Sequence, residues 1–579
     1  MVTNDDVGRI LTEMAEVLEL RGEDPFRIRA YQNAARTVLG LSEPLREIRA
    51  RGELQELPGI GERMAAKIEE ILDTGRLRQH DELMREFPPG VMEMMRVPGI
   101  GPRTAETLYE QLGITNIDEL ERTAQEGRIR QLRGFGVKSE ENILLNIERA
   151  RRTTARVPLA RAFPLAQQII KELKRTAPVT EIAAAGSLRR MKEDIGDIDI
   201  LATSNNPGAV MAAFTHLPEV QRVIAAGPTK TTILTDIGLQ VDVRVVEPES
   251  FGAALQYFTG SKAHNVKLRT LAIRLGYKLS EYGIFRADTG ERIGGHDEED
   301  MYRPLGIVMY PPELREDRGE IELGRQGVVP DFVEVGDIRG DLHVHTDWSD
   351  GRAPIREMVL SARARGYEYV AISDHSLGRG IANGLTVERL RGQIREIRAL
   401  NDAIDSITIL AAAEVDIRRD GTLDYPDDVL AELDLCIGSV HSAFGLSASD
   451  QTERLLRAMR NPYLDIIGHP TGRLIGARDP IGLDMRRLMT AAAERGVAME
   501  VNSWPERLDL NDEHVLLARE LGVPLVIDTD AHAPEHYELI FYGVATARRG
   551  WAVPADILNT LPLKRFLTRL RRNAMRKAA

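Results

Sequence analysis

The stretch GDLHVHTDWSDG at 340–351 sets His343 and His345 one residue apart, with Asp350 in the turn that follows. On a strand that spacing puts both imidazoles on one face. Ligand-type residues recur after later apolar runs: His375 in ISDHS, Glu414 in AAAEVD, His441 in IGSVHSA, His469 in DIIGHPTG, and Asp530 and His532 in IDTDAH. Imidazoles and carboxylates together suit Zn²⁺, Mn²⁺ or iron better than Ca²⁺ or Mg²⁺ alone. Nine donors exceed what one ion can use, so two or three ions are expected. Such a cluster ionises water near neutral pH and clamps a phosphate ester, which is the chemistry of a metal-assisted phosphoesterase.

A second constellation lies upstream in AAAGSLRRMKEDIGDIDILAT, 183–203. Alternation places Asp197 and Asp199 on one strand face and Ile198 and Ile200 on the other. GLQVDVRVVEP repeats the pattern, with Val241, Val243 and Val245 opposed to Asp242 and Arg244. Clustered carboxylates repel unless a cation lies between them, so Asp197, Asp199 and Asp242 are candidates to hold two Mg²⁺ or Mn²⁺ ions for phosphoryl transfer. A lone strand aspartate is more simply a solvated edge charge, but this pair stands behind Gly186, Ser187, Arg189 and Arg190, which read as a phosphate-cradling turn.

The elements that must position these groups differ between the two halves. From 338 to 579 strand and helix patterns alternate, with strands near 339–345, 368–374, 407–414, 435–441, 463–468, 497–502 and 523–529. Seven such units predict a parallel barrel of the (β/α) type, with its chemistry at the C-terminal strand ends where the nine donors fall. Asn502 in EVNSW is an ordinary strand-end residue or a substrate contact, and His296, His514 and His536 match no motif and read as surface residues. Residues 316–337 carry Gly, Pro and charge without a period, and read as a linker.

Near the N-terminus LPGIGERMAAKIEEIL (57–72) returns as VPGIGPRTAETLYEQL (97–112) and, more loosely, as LRGFGVKSEENILLNI (132–147). Gly59 and Gly61, Gly99 and Gly101, and Gly134 and Gly136 permit a tight turn into a helix whose exposed N–H groups grip a phosphate without reading bases. The repeats resemble helix-hairpin-helix motifs, so residues 1–150 are expected to hold DNA backbone.

Residues 1 to about 315 resemble the family X DNA polymerases, whose motifs occur here in order. That resemblance implies an α+β nucleotidyltransferase core over 151–315, with Asp197, Asp199 and Asp242 binding the catalytic metals and Asp242 near the primer 3′-hydroxyl. It implies that Ser187 and Arg190 hold the triphosphate, that Tyr257, Phe258 and Gly260 line the sugar pocket, and that Asn265 and Arg269 touch the nascent pair and template. Lys67, in AAKI, falls where lyase-active members carry a Schiff-base lysine, although a surface lysine is the plainer reading. Gln240 stands where an arginine is usual and Lys262 where an aspartate is usual, and TGSKAHN resembles bacterial members. The barrel residues resemble the PHP (polymerase and histidinol phosphatase) domain, with all nine metal positions filled.

Together the resemblances imply gap filling in base excision repair from gapped or primer-template DNA and deoxynucleoside triphosphates, with 3′-to-5′ exonuclease and abasic-site or 3′-end processing in the PHP domain. Alternatives are a small-molecule phosphatase tethered to a DNA-binding module, or a barrel whose metals only stabilise the fold. The 579 residues, 43% hydrophobic and 28% charged, suffice for several domains with cores of their own. The net charge of −13 argues against a protein that coats DNA, the basic stretches at 128–138 and 149–156 being local. The one cysteine, Cys436, excludes an internal disulfide framework and a thiolate zinc cluster, and fits a reducing cytosol. MVTNDDVGR lacks a signal-peptide pattern, and no apolar run is long enough to span a bilayer, so a cytoplasmic monomer is expected.

Overall fold

Two glycines with the same backbone geometry open two of the repeated helices: Gly61 (φ −83°, ψ 176°) caps Glu62–Thr74, and Gly101 (φ −83°, ψ 173°) caps Pro102–Leu112. The computed structural model describes residues 4–21, 23–39, 45–57, 59–84, 91, 94, 97, 100–132, 134–154, 156–378 and 382–573. Its N-terminal part is helical. Helices Asn4–Leu20 and Pro25–Leu39 pack together, and Val7, Leu11, Met14 and Leu18 share a buried cluster with Ile68 and Ile71 of the first hairpin. A second cluster joins Ile100, Ala105 and Leu108 to Leu120, Ile143 and Ile147.

The middle of the chain carries a five-stranded sheet. Its strands are β1 (Glu181–Ala184), β2 (Asp197–Thr203), β3 (Val220–Ala226), β4 (Lys230–Thr235) and β5 (Gln240–Val246), in the spatial order β1-β2-β5-β4-β3. Only β2 and β5 run parallel. The period of two in QVDVRVV is realised as expected: Val241, Val243 and Val245 are buried, while Asp242 and Arg244 are half-buried on the opposite side. Helices Phe251–Thr259 and Lys262–Arg274 and a small sheet follow. Within 316–337 the helix Glu320–Arg325 docks on this unit, and Glu320 Oε1 lies 2.7 Å from His264 Nδ1, both residues buried.

The C-terminal third is a seven-stranded parallel sheet in sequential order: β6 (Gly340–Val344), β7 (Tyr369–Ile372), β8 (Thr408–Asp416), β9 (Leu435–Ser439), β10 (Ile466–Ile467), β11 (Ala498–Asn502) and β12 (Leu525–Asp528). It curls into a nearly closed barrel, because His345 N donates to the Ala531 carbonyl (2.8 Å) and Ala531 N to the His343 carbonyl (3.1 Å). Leu342, Tyr369, Leu410, Ile437, Ile466 and Val526 form one buried cluster, against which Phe566 of the C-terminal helix stacks on Tyr369 at 5.0 Å. The fold is therefore a helical helix-hairpin-helix region, an α+β core and a distorted (β/α)7 barrel. No helix among the described residues is long and apolar enough to cross a membrane.

Candidate active sites

Parallel pairing of β2 with β5 sets Asp199 directly opposite Asp242, and Asp197 opposite Gln240. Gly186 completes the pocket from the turn after β1. It has φ +63°, and a Cβ there would stand 2.6 Å from Asp199 Oδ2, so glycine is required by both conformation and space. Burial, then the charges of Asp197 and Asp242, push Asp199 up to about 6. Crowded carboxylates of this kind, Asp197 exposed and Asp199 and Asp242 half-buried, fit divalent cations, which would relieve the repulsion. Lys230 Nζ lies 2.7 Å from Asp242 Oδ2, and Gln240 Nε2 donates to Asp242 Oδ1 at 3.4 Å. Nothing in its context marks Lys230, which looks like any strand lysine.

Most of the residues expected around the triphosphate and sugar contact one another. Arg190 Nη1 donates to the Thr259 carbonyl at 2.5 Å and Nε to Glu316 Oε1 at 3.0 Å. Gly260 (φ +68°) approaches Arg190 so closely that a Cβ there would lie 3.3 Å from Nη1. Asn265 Nδ2 donates to the Tyr257 carbonyl (2.7 Å), and Arg269 Nε to the Asn265 carbonyl (3.4 Å). Phe258 carries the Arg244 guanidinium on its ring at 4.7 Å. Arg189 turns away, bonding Thr259 Oγ1 and both oxygens of Glu298. Ser187 is half-buried in the same turn, and Lys262 lies exposed in the first turn of its helix.

The barrel rim brings all nine donors together. Ligand atoms of His345, Asp350, His375 and His532 lie within 4.8 Å of one another, as do those of His343, His345 and Asp530, and those of His375, Glu414 and His441. His469 is the ninth, its Nε2 2.9 Å from Glu414 Oε1. Asp530 adopts φ +56° and His469 φ +26°, a left-handed backbone uncommon outside glycine and concentrated at functional sites. His343 Nε2, His345 Nδ1 and His469 Nδ1 are buried without a hydrogen-bond partner among the described residues. Orphaned ring nitrogens beside buried carboxylates fit a metal cluster.

Partners behind the rim hold these rings. His343 Nδ1 lies 2.7 Å from Glu500 Oε1, His441 Nδ1 lies 2.6 Å from Asp416 Oδ1, and His532 Nδ1 lies 2.7 Å from the Asp530 carbonyl. Such partners fix tautomer and orientation. Burial, then the charges of His532 and His375, push His345 down to about 3. Burial opposes charge on His375 as well, but Glu414 and Asp350 overcome it and raise that ring to about 10. Burial likewise works against Glu414, yet His441, His375 and His343 pull it well below the carboxylate range.

Three sequence readings need adjusting. Asn502 is a fully buried strand-end residue that gives its amide to Glu500 and Asp530, each at 3.2 Å, and so props a rim donor. His536 accepts from His532 N at 3.1 Å and sits against Trp504, and His514 is half-buried near Asp509; only His296 of the three is exposed. Glu500 and Arg507, whose Nε lies 3.6 Å from Asp530 Oδ2, escaped notice because a strand-end acid and a loop arginine carry no motif.

Five family models match stretches of the chain. A "Helix-hairpin-helix domain" matches residues 2–77, a "SAM-like Helix-hairpin-helix tandem" 91–149, "DNA polymerase beta palm" 156–248, "DNA polymerase beta thumb" 254–316 and "PHP domain" 341–503. A relative from Bacillus subtilis (strain 168) named "DNA polymerase/3'-5' exonuclease PolX" is 39% identical over 570 residues, covering 98% of this chain and 99% of its own. The chain belongs to the PolX family of family X DNA polymerases. The polymerase half of this PolX chain is also similar to "DNA polymerase lambda" of Rattus norvegicus, 26% identical over 339 residues (53% of this chain, 56% of the relative). Its barrel is similar to a "Probable phosphatase" of Thermoanaerobacter sp. (strain X514), 32% identical over 205 residues (33% of this chain, 78% of the relative).

In the hairpins of this PolX chain Gly59 (φ +78°) and Gly134 (φ +93°) occupy left-handed turns. A Cβ at Gly61, Gly101, Gly134 or Gly136 would meet no protein atom within 4 Å, so internal packing does not demand glycine there. Gly99 lies outside the described residues. Lys67 Nζ donates to Gln79 Oε1 and sits 5.4 Å from the Tyr31 ring centre, half-buried rather than freely solvated.

Proposed function

We propose that this chain fills short gaps in DNA during base excision repair and trims 3′ ends, each activity in its own half. The observation that carries the reading is the coexistence of the Asp199–Asp242 pair, closed over by Gly186, with a nine-donor rim in one chain.

In the polymerase half, Asp197, Asp199 and Asp242 would hold two Mg²⁺ or Mn²⁺ ions, which supply charge to the triphosphate and acidify the primer 3′-hydroxyl. Ser187 and Arg190 bind the triphosphate, Tyr257, Phe258 and Gly260 shape the sugar pocket, and Asn265 and Arg269 contact the nascent pair. The hairpin glycines leave the helix starts open to phosphates of the flanking duplex. Lys67, held by Gln79 beside Tyr31, is the candidate lyase amine.

In the barrel His343, His345, Asp350, His375, Glu414, His441, His469, Asp530 and His532 would hold two or three Zn²⁺, Mn²⁺ or iron ions, which supply Lewis acidity toward a phosphodiester. Arg507, beside Asp530, is placed to neutralise that phosphate, and Glu500 and Asp416 keep the imidazoles aimed. The similarity to the Bacillus subtilis relative, whose name includes both activities, supports this pairing. A cytoplasmic monomer is the form proposed.

The test is a labelled primer in a duplex with a one-nucleotide gap and a 5′-phosphate, incubated with Mn²⁺. Extension with deoxynucleotides, and 3′ shortening without them, support the reading. The barrel's likeness to a "Probable phosphatase" favours one other reading, a small-phosphomonoester hydrolase. Turnover of p-nitrophenyl phosphate with DNA ends left intact would establish that instead.

A further inference from the structure

Arg549 ends the barrel helix Ile540–Arg549, and its guanidinium is buried where the barrel meets the polymerase half, with only 4% of the residue exposed. Nη1 donates to the Arg190 carbonyl (2.5 Å), the Glu313 carbonyl (3.3 Å) and Glu316 Oε1 (3.2 Å). Nη2 donates to Asp512 Oδ2 (2.8 Å), an oxygen shared with Arg318 (3.1 Å). The same Glu316 oxygen accepts from Arg190 Nε at 3.0 Å. One carboxylate oxygen is thus shared by a barrel arginine and by the arginine assigned to the triphosphate.

That sharing has a consequence for nucleotide binding. A triphosphate that takes the Arg190 Nε–H must displace Glu316 from it. Breaking a mostly buried ion pair is costly when it strands one charge without a partner. Here Glu316 would keep Arg549, with Lys192 adding positive charge nearby. The bond from Arg549 to the Arg190 carbonyl also fixes the turn that follows the short helix Gly186–Arg189, so the backbone stays put while the side chain moves.

We propose that Arg549 is a positioning residue of the nucleotide subsite: the barrel supplies the cation that holds Glu316 and the 186–190 turn while Arg190 exchanges Glu316 for a triphosphate. The inference rests on the assignment of Arg190 to the triphosphate in the reading above. It makes the barrel a working part of the polymerase, apart from its own chemistry. Among the described residues the side-chain partners of Arg549 include none of the nine rim donors.

The test uses the full chain in single-nucleotide gap filling, with 3′ shortening and thermal midpoint measured on the same preparations. Arg549→Ala is expected to raise the deoxynucleotide KM about tenfold, as the loss of a charge-assisted contact implies, with kcat and 3′ shortening within about twofold of wild type. Adding Glu316→Gln, which removes the charge that Arg549 balances, should return the KM to within about threefold of wild type. Arg549→Lys keeps the charge without the fork and should give a smaller rise.

Parallel losses of kcat, 3′ shortening and melting temperature, without rescue by Glu316→Gln, would mean a merely structural contact and overturn the proposal. If Arg549→Ala does not fold, an unchanged KM in Arg549→Lys overturns it. Arg190→Ala separates the two levels. If its KM is unchanged, the assignment of Arg190 is wrong and the inference falls with it. If its KM rises while both Arg549 variants match wild type, the inference alone is wrong.

Discussion

Asp199 and Asp242 stand opposite each other in register on the parallel strands β2 and β5, with Asp199 held at about 6 by burial and by its acidic neighbours. Because that value lies above the ordinary 3.8, the folded chain without ions binds this proton more tightly than the unfolded chain does. The charged carboxylate therefore costs nothing below about pH 4, and its cost grows to about 3 kcal/mol as the pH rises through 6. Divalent cations relieve it. The gain in Tm from Mg²⁺ should be larger at about pH 7.5 than at about pH 5, and Asp199→Asn should remove the difference. Equal gains at both pH values in the wild type would contradict the prediction.

Gly186→Ala adds a methyl where 2.6 Å separates the ideal Cβ from Asp199 Oδ2, on a backbone at φ +63°. A displaced carboxylate and about 1–3 kcal/mol of backbone strain are expected. Primer extension should fall about 100-fold or more, since small displacements of positioned groups are that costly. The same preparation should shorten 3′ ends at the wild-type rate; a parallel loss of both activities would show that the substitution acts on the whole chain.

Glu500→Gln leaves the nine rim donors in place but weakens the acceptor 2.7 Å from His343 Nδ1. Outer partners of this type typically carry 10–100-fold in metal affinity. Titration of metal-depleted protein with Mn²⁺ should show a loss of about that size in 3′ shortening, recovered at saturating Mn²⁺. A loss that saturating Mn²⁺ does not recover would assign Glu500 a role in the reaction itself.

Glu298 ties Arg189 to the fully buried Arg315, whose Nη1 donates to it at 2.5 Å. Burial opposes the charge on Glu298, but Arg315 and Arg189 prevail and hold it at about 2. A depressed carboxyl stabilises the fold above its ordinary 4.5, and that contribution drains away as the pH falls toward 2. Glu298→Gln, which strands Arg315, should cost about 3–5 kcal/mol near neutrality. In denaturant unfolding the gap between wild type and variant should close as the solution is acidified. A gap independent of pH would rule out the ion pairs as its source.

The sequence made most of both sites legible for a physical reason. Imidazoles and carboxylates follow apolar runs such as LCIGSV and VPLVI where a buried strand meets the rim, so His441, Asp530 and His532 stand out from their context. Period two did the same for Asp197, Asp199 and Asp242. All seven barrel strands fall where the apolar runs place them. What stayed hidden acts through another residue. Glu500 is a strand acid like many others until His343, 157 positions away, is folded against it. Arg549 is one arginine among the 76 lysines and arginines until its helix end meets Glu316. Lys230 belongs to the same class: its partner Asp242 comes from the neighbouring strand.

Two active sites, each with its own donor set, share this chain. The most direct measurement follows a labelled primer in a one-nucleotide gap with Mn²⁺, with and without deoxynucleotides, for wild type, Asp242→Ala and His343→Ala. Asp242→Ala should abolish extension and retain 3′ shortening, and His343→Ala should do the reverse. If neither substitution changes 3′ shortening while both proteins stay folded, the rim is not a nuclease and the two-site account fails.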